Sequence, residues 1–373
     1  MLAYAWNHWE VKPAYALLIG NGTYDYRNLR GLGDNLVPPL MVPTLFGLAA
    51  SDSNYGDVAP APGPEIAVGR LPVVNAAQLG RLLTKIQTYE ETPLQVVGDA
   101  LLMADIPGVA GDFVADIQEV QSMLGSAYTQ RVILPGDTGN NTAIMRSLLL
   151  SNLNLGADLF CYLGHGADDR LGNAGYLTST DVPTLTNTSH LPLVSAMTCL
   201  AGFFAEPGYN CLSETLVLTN AGGIAVLSAS GFSLNHEATD LNLAFLAALV
   251  SGRPGRLGDF VGQAMVDYNQ VPRFTPAGMY GILGDPPLLY RTVPRQPPIA
   301  PVIAGVRRAD NGEVTLTFTA QPGQSYSVLA TTNLEPPVWS VLSFGIVPFG
   351  SFGFCDSGAT NIPQRFYRLL TNP

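Results

Sequence analysis

Charged side chains make up only 13% of the 373 residues, about half the roughly 25% usual for a soluble domain. Scarcity of charge raises two alternatives to a globular fold, and both fail. A membrane helix needs ~18 consecutive apolar residues, and no stretch of the sequence reaches that length. A disordered chain pairs low hydrophobicity with high net charge, whereas 47% of this one is hydrophobic. Lysine is nearly absent, occurring only at Lys12 and Lys85. Cysteine is sparse as well: Cys161, Cys199, Cys211 and Cys355 have no CxxC spacing, so neither a zinc site nor a dense disulfide framework is indicated. GxSxG and HExxH are missing, which leaves serine-hydrolase and zinc-peptidase readings without support. Gly20-Asn21-Gly22 lacks the third glycine of a dinucleotide loop. The opening residues have neither the basic lead nor the clean apolar segment of a signal peptide. Leu2, Ala5, Trp6 and Trp9 instead fall on one side of a helix. The chain is therefore expected to begin partway through a natural domain, with any export signal upstream.

What is present is acid. The net charge is -11, and it is unevenly spread. From Gln296 onward Arg307, Arg308, Arg365 and Arg368 balance Asp310, Glu313, Glu335 and Asp356, so the excess lies in the first 295 residues. An acidic surface repels phosphate backbones, which argues against nucleic acid as a partner, and it suits cationic peptides or divalent ions.

Residues 1–292 alternate apolar runs with helix-period stretches. Runs at 14–20, 99–105, 131–134, 157–163, 193–198 and 223–228 read as buried strands. Stretches at 76–91, 113–124, 142–153, 213–220, 239–250 and 257–268 read as helices. This alternation predicts an α/β fold, a mostly parallel sheet covered on both faces. Residues 293–301, rich in proline, read as a stiff linker. Residues 302–373 carry period-two runs such as Glu313–Thr319, split by Gly, Pro and Asn. They predict a small antiparallel β-sandwich of fibronectin or immunoglobulin type.

In a parallel sheet, chemistry sits in loops at the carboxyl ends of strands. Two such loops stand out. One strand runs into Gly164-His165-Gly166, and the next into Thr198-Cys199. If those strands are neighbours, a thiol and an imidazole face one cleft. A thiolate is a nucleophile, an imidazole can protonate a leaving group, and the N–H groups of Gly166 and Cys199 can form an oxyanion hole.

The order of these segments resembles the gingipain-like family of cysteine peptidases, which share the caspase-like fold. That family carries His-Gly after one strand and Cys after the next. Further likenesses are Tyr15–Gly20, Ser51–Gly56 with Glu65–Arg70, Cys211–Glu214 with the apolar run after it, and Gly284–Leu289. They cover about residues 14–291. The resemblance implies a secreted bacterial endopeptidase with a Cys199–His165 dyad, outside the cell or on its surface, acting on proteins or peptides. It implies Asp105 as the group that orients His165. It implies Asp116, with Asp112 as second choice, at the base of a pocket for Arg or Lys, and a further pocket wall in 231–240 that holds Glu237. The family's aromatic residue there is not matched at Asn235. No cofactor is needed for the chemistry. Structural calcium is an expectation of the family, with Asp52 and Asp57 the named candidates beside Asp34 and Asn54, although the loop fails the calcium-hand pattern. The tail resembles β-sandwich modules that end exported bacterial proteins. Two other readings remain: a catalytically silent scaffold in surface-protein secretion, and an adhesion or glycan-binding protein.

Overall fold

The structure is a computed structural model that describes residues 1–33, 35–92, 98–251, 255–290, 302–319, 325–346 and 351–371. The proline-rich segment 293–301 and Asp34 lie outside the described residues. The chain divides into two compact units, Met1–Pro294 and Arg295–Pro373.

The first unit begins with α1 (Leu2–His8), β1 (Tyr15–Ile19), a hairpin of β2 (Leu40–Thr44) and β3 (Gly47–Ser51), and β4 (Ala67–Leu71). There follow α2 (Ala76–Glu91), β5 (Gly98–Ala104), α3 (Phe113–Leu124), β6 (Tyr128–Ile133), α4 (Thr142–Leu155) and β7 (Leu159–Leu163). Three two-residue strands come next, β8 (Gly166–Ala167), β9 (Arg170–Leu171) and β10 (Leu177–Thr178). The unit closes with β11 (Leu193–Met197), α5 (Leu212–Leu218), β12 (Ala225–Ala229), α6 (Asn235–Val250), α7 (Leu257–Tyr268) and β13 (Tyr280–Leu283).

Helix starts follow local chemistry. The Asn75 side chain accepts from Gln78 N–H ahead of α2, Asp112 from Ala115 N–H ahead of α3, and Asn141 from Ala143 and Ile144 N–H ahead of α4. Each supplies an acceptor to backbone donors that the first turn leaves unpaired. α3 then buries Phe113, Ile117, Val120 and Leu124, one stripe at 3.6-residue spacing.

Eight strands form one sheet in the order β1-β4-β13-β12-β11-β7-β5-β6. Every neighbouring pair is parallel except β12–β13. The sheet is therefore two parallel blocks running in opposite directions, joined at that pair. β7, β11 and β12 are buried at every position, as strands covered on both faces must be. Short β13 and the β2–β3 hairpin are not among the strands the sequence predicts. α6 starts at Asn235 rather than 239, because contacts from distant segments hold its first turn.

The second unit has β14 (Val302–Arg308), β15 (Val314–Thr319), β16 (Ser325–Thr331), β17 (Ser340–Ile346), β18 (Ser351–Asp356) and β19 (Phe366–Thr371). They make two antiparallel three-stranded sheets, β14-β15-β18 and β17-β16-β19. Leu316 and Phe318 from one and Val328 from the other share a small core.

Candidate active site

Register places the site. Ala104 of β5 pairs with Leu163 of β7, and Leu163 with Met197 of β11. Three neighbouring strands thus end at one level, and the residues just beyond them are Asp105, His165 and Cys199.

The His165 main chain is clamped on both sides. Its N–H donates to Asp105 Oδ2 at 3.0 Å, and its carbonyl accepts from Tyr162 Oη at 2.8 Å and from Gly172 N–H at 2.7 Å. Asp105 Oδ1 accepts from Tyr176 Oη and from Ile106 N–H, both at 2.7 Å. Asp105 is buried, and its oxygens are occupied by backbone and phenol donors. Asp105, expected to orient His165, fixes it through its peptide group. The ring itself packs edge-on against Phe113, with centroids 5.3 Å apart. Gly164 is required in this clamp, since a side chain there would begin 2.3 Å from Asp105 Cβ.

Gly166 is pressed against the Thr198–Cys199 loop. A β-carbon on it would lie 2.5 Å from Thr198 Oγ1 and 3.0 Å from the Cys199 carbonyl oxygen. β8 and β9 pair Gly166 with Leu171, and Gly172 N–H bonds the His165 carbonyl. Antiparallel ladders alternate bonded and non-bonded pairs, so the Gly166 N–H turns away from its partner strand.

Cys199 is half-buried, with Sγ 3.4 Å from the Ser233 N–H nitrogen and 3.5 Å from the Ser233 carbonyl oxygen. The next residue, Leu200, has φ of +62°, a region side chains with a β-carbon rarely occupy. Leu200 N–H donates to the Gly231 carbonyl at 3.0 Å and Gly202 N–H to the Ala229 carbonyl at 2.9 Å. Those bonds hold the strained turn over the end of β12. Strain of this kind persists only where surroundings over-determine it, and it clusters at functional sites. The other thiols are unlike Cys199. Burial pushes Cys161 up to about 12 and Cys211 well above its usual range, and Cys355 is exposed in the second unit.

The remaining candidates separate. Asp116, in the first turn of α3, accepts from Asn235 Nδ2 at 2.8 Å, so it faces the start of α6. Asp112 is exposed and serves as the α3 cap. Glu237 is buried, and its oxygens accept from Phe274 and Thr275 N–H at 2.8 and 2.7 Å. It anchors a loop and is corrected as a substrate-binding residue. Asp52 is corrected as a calcium candidate: both its oxygens hold buried Arg70, at 2.6 and 2.7 Å. Asp57 is exposed beside a small cavity. Among the described residues no three His, Cys, Asp or Glu side chains are grouped to hold a metal ion.

Ser233, Tyr162, Tyr176 and Phe113 are absent from the residues singled out in the sequence. Ser233 meets Cys199 Sγ chiefly through main-chain atoms, with its Oγ at 3.9 Å, and the others lie on elements brought in by the fold. A cavity of about 700 Å³ beside α2, lined by Arg81, Lys85 and Thr188 among others, touches none of the candidate residues.

The model of peptidase family C25 matches residues 1–291. The chain belongs to peptidase family C25. It is 25% identical over 223 residues to Gingipain R2 of Porphyromonas gingivalis strain W83, covering 56% of this chain and 27% of that protein. It has the same identity over the same length to Gingipain R1 of Porphyromonas gingivalis, covering 20% of it. The chain thus spans about a quarter of the curated relatives it matches. Among solved structures, the Arg-specific cysteine proteinase gingipain R (RGPB) superposes with a TM-score of 0.63 at 17% identity, covering 94% of this chain and 79% of that one. The complex of Porphyromonas gingivalis RgpB pro- and mature domains gives 0.63 at 18% identity, covering 94% and 80%. These likenesses fix the fold as the caspase-like one expected.

Proposed function

We propose that this chain is a cysteine endopeptidase working through Cys199 and His165. The supporting observation is the common level at which β7 and β11 end, with Gly166 packed against Cys199. In the first step His165 takes the proton of the Cys199 thiol and Cys199 Sγ forms a bond to the scissile carbonyl carbon. The carbonyl oxygen takes up the negative charge and accepts from the N–H groups of Gly166 and Cys199. The intermediate collapses, the C–N bond breaks, and the amine leaves with a proton from His165. Water, losing a proton to His165, then attacks the thioester carbonyl and releases the carboxylic acid, restoring the thiol. Asp105 is a positioning residue in this scheme. The reading extends to substrates carrying Arg or Lys before the cleaved bond. It rests on Asp116 facing the start of α6, on the acidic unit, and on the Arg specificity stated for the gingipain R structure. A location outside the cell belongs to the same reading. Among the described residues no helix is long and apolar enough to cross a membrane.

The test is hydrolysis of a fluorogenic peptide panel that varies the residue before the scissile bond, with reductant present. Wild type is expected to cleave Arg or Lys peptides and Cys199→Ala to lose at least about 10³-fold in kcat/KM. Asp116→Asn is expected to reduce the Arg and Lys rates over the neutral ones by about tenfold or more, since a charge-assisted pair is replaced by a neutral contact. Full activity in Cys199→Ala refutes the mechanism. An unchanged Arg/Lys preference in Asp116→Asn refutes the pocket assignment alone.

A further inference from the structure

The hairpin of β2 and β3 ends in Leu45 and Phe46, and Leu48 follows on β3. These three are 62%, 52% and 67% exposed, and Phe232 is 50% exposed. Single exposed apolar residues need no explanation, but these meet: the Phe46 and Phe232 rings pack edge to face, 5.8 Å between centroids. The hairpin is tied to the segment after β12. Ser230 Oγ donates to the Ala50 carbonyl at 2.5 Å, and Gly231 leaves no room for a side chain, which would meet Ala49 Cβ at 3.0 Å and Met279 sulfur at 2.8 Å. The aromatic pair is therefore held in place rather than waving on a loop.

Its position relative to the nucleophile follows from covalent geometry. Ser233 nitrogen is 3.4 Å from Cys199 Sγ. The peptide bond puts the Phe232 α-carbon about 2.4 Å beyond that nitrogen, hence within about 6 Å of the sulfur. An extended peptide advances about 3.3 Å per residue. A substrate side chain lying on Phe232 thus belongs to a residue within about two positions of the bond under attack.

We propose that Phe46 and Phe232 form a specificity ledge that receives a large apolar or aromatic side chain of the peptide. The proposal rests on the peptidase reading and refines its substrate class: a peptide with an apolar residue next to, or one removed from, the scissile bond. The ledge contributes in the ground state and the transition state alike, because it touches no reacting atom. Its loss raises KM and leaves kcat nearly unchanged.

The test uses peptides in which the two positions on each side of the scissile bond are switched between Phe or Leu and Ser or Gly. Wild type, Phe46→Ser and Phe232→Ser are compared; both replaced side chains are half exposed, so folding is expected to survive. At one of these positions wild type is expected to favour the apolar peptide by about tenfold or more in kcat/KM. The variants are expected to lose that preference through KM while cleaving the polar peptides as before. Fluorescence anisotropy of labelled peptides on Cys199→Ala, with and without Phe232→Ser, reads the same preference with no chemistry. Retained binding selectivity without hydrolysis in wild type would sink the peptidase reading and keep the ledge. Equal binding of apolar and polar peptides, or an apolar preference that survives both Ser variants, overturns the ledge. So does light scattering that shows a dimer dissociated by Phe46→Ser, since a second copy would then be its occupant.

Discussion

Glu214 is buried at the start of α5, and Cys211 N–H donates to its Oε2 at 2.8 Å. Burial pushes its pKa from 4.5 up to about 8, against the pull of the Cys211 hydrogen bonds. Between those two values the folded chain keeps the proton and the unfolded chain loses it, so unfolding releases a proton. Stability then falls as pH rises from about 4.5 to 8. Glu214→Gln, which keeps the acceptor oxygen and cannot ionise, is expected to flatten that slope. Melting temperature across pH 4.5–8.5 in both proteins checks it; the same slope in both would show that other groups set it. At this scale the sequence is legible in parts. Cys199 and His165 each sit just past a buried apolar run, and that pattern is visible in the chain itself. Asp52 and Glu237 read as free acids because their partners, Arg70 and the main chain at Phe274 and Thr275, are distant in sequence and belong to other elements. The Asp105 side chain reaches His165 at its peptide N–H, a contact that leaves no mark in composition or spacing.

α2 and α5 are joined by one side chain. Lys85 Nζ lies 2.6–3.3 Å from the carbonyl oxygens of Leu216, Val217, Thr219, Ala221 and Gly223. These oxygens gather at the carboxyl end of α5 and the turn into β12, where a helix leaves its last carbonyls unpaired. The Lys85 amine supplies donors to all five, of which Leu216 O also accepts from Gly223 N–H and Ala221 O from Thr219 Oγ1. Lys85→Met keeps the stem and removes the charge, and it strands several buried carbonyls at about 1–3 kcal/mol each. A loss of at least about 3 kcal/mol in unfolding free energy is expected from urea titration. A loss under about 1 kcal/mol would mean that water or repacking satisfies the carbonyls. Element type was readable wherever the period was long and strong: α2 and α3 run over the residues their apolar stripes mark. β13 and the β2–β3 hairpin are not readable, because such short apolar segments, broken by Pro43, Gly47 and Gly281, owe their form to the strands beside them. The hairpin matters most among these, since it carries Phe46.

Over the whole first unit, the sheet's two opposed blocks explain why the candidate site is single. Only in the β12-β11-β7-β5-β6 block do adjacent carboxyl ends carry a cysteine, a histidine and an acid at one level. His190, by contrast, sits 3.0 Å from buried Asp158 next to the first residues of β7 and β11, at the opposite rim, where it ties the bottom of the sheet. The second unit has its own core of Val314, Leu316, Phe318, Val328 and Ala359 and contributes none of the candidate residues. A mostly parallel sheet is anticipated from the alternation and the family likeness, but the order of its strands and the reversal of one pair are not. The reversal at β12–β13 is a long-range pairing that no local pattern encodes.

The central claim is that Cys199 and His165 act as one unit. The most direct measurement is a double-mutant cycle of kcat/KM on an efficiently cleaved peptide, using wild type, Cys199→Ala, His165→Ala and the double variant. Residues that work as a unit give strongly non-additive losses. Each single variant is expected to fall by about 10³-fold or more, with the double variant little lower than either. Independent losses that multiply in the double variant, or substantial turnover remaining in Cys199→Ala, would contradict the account.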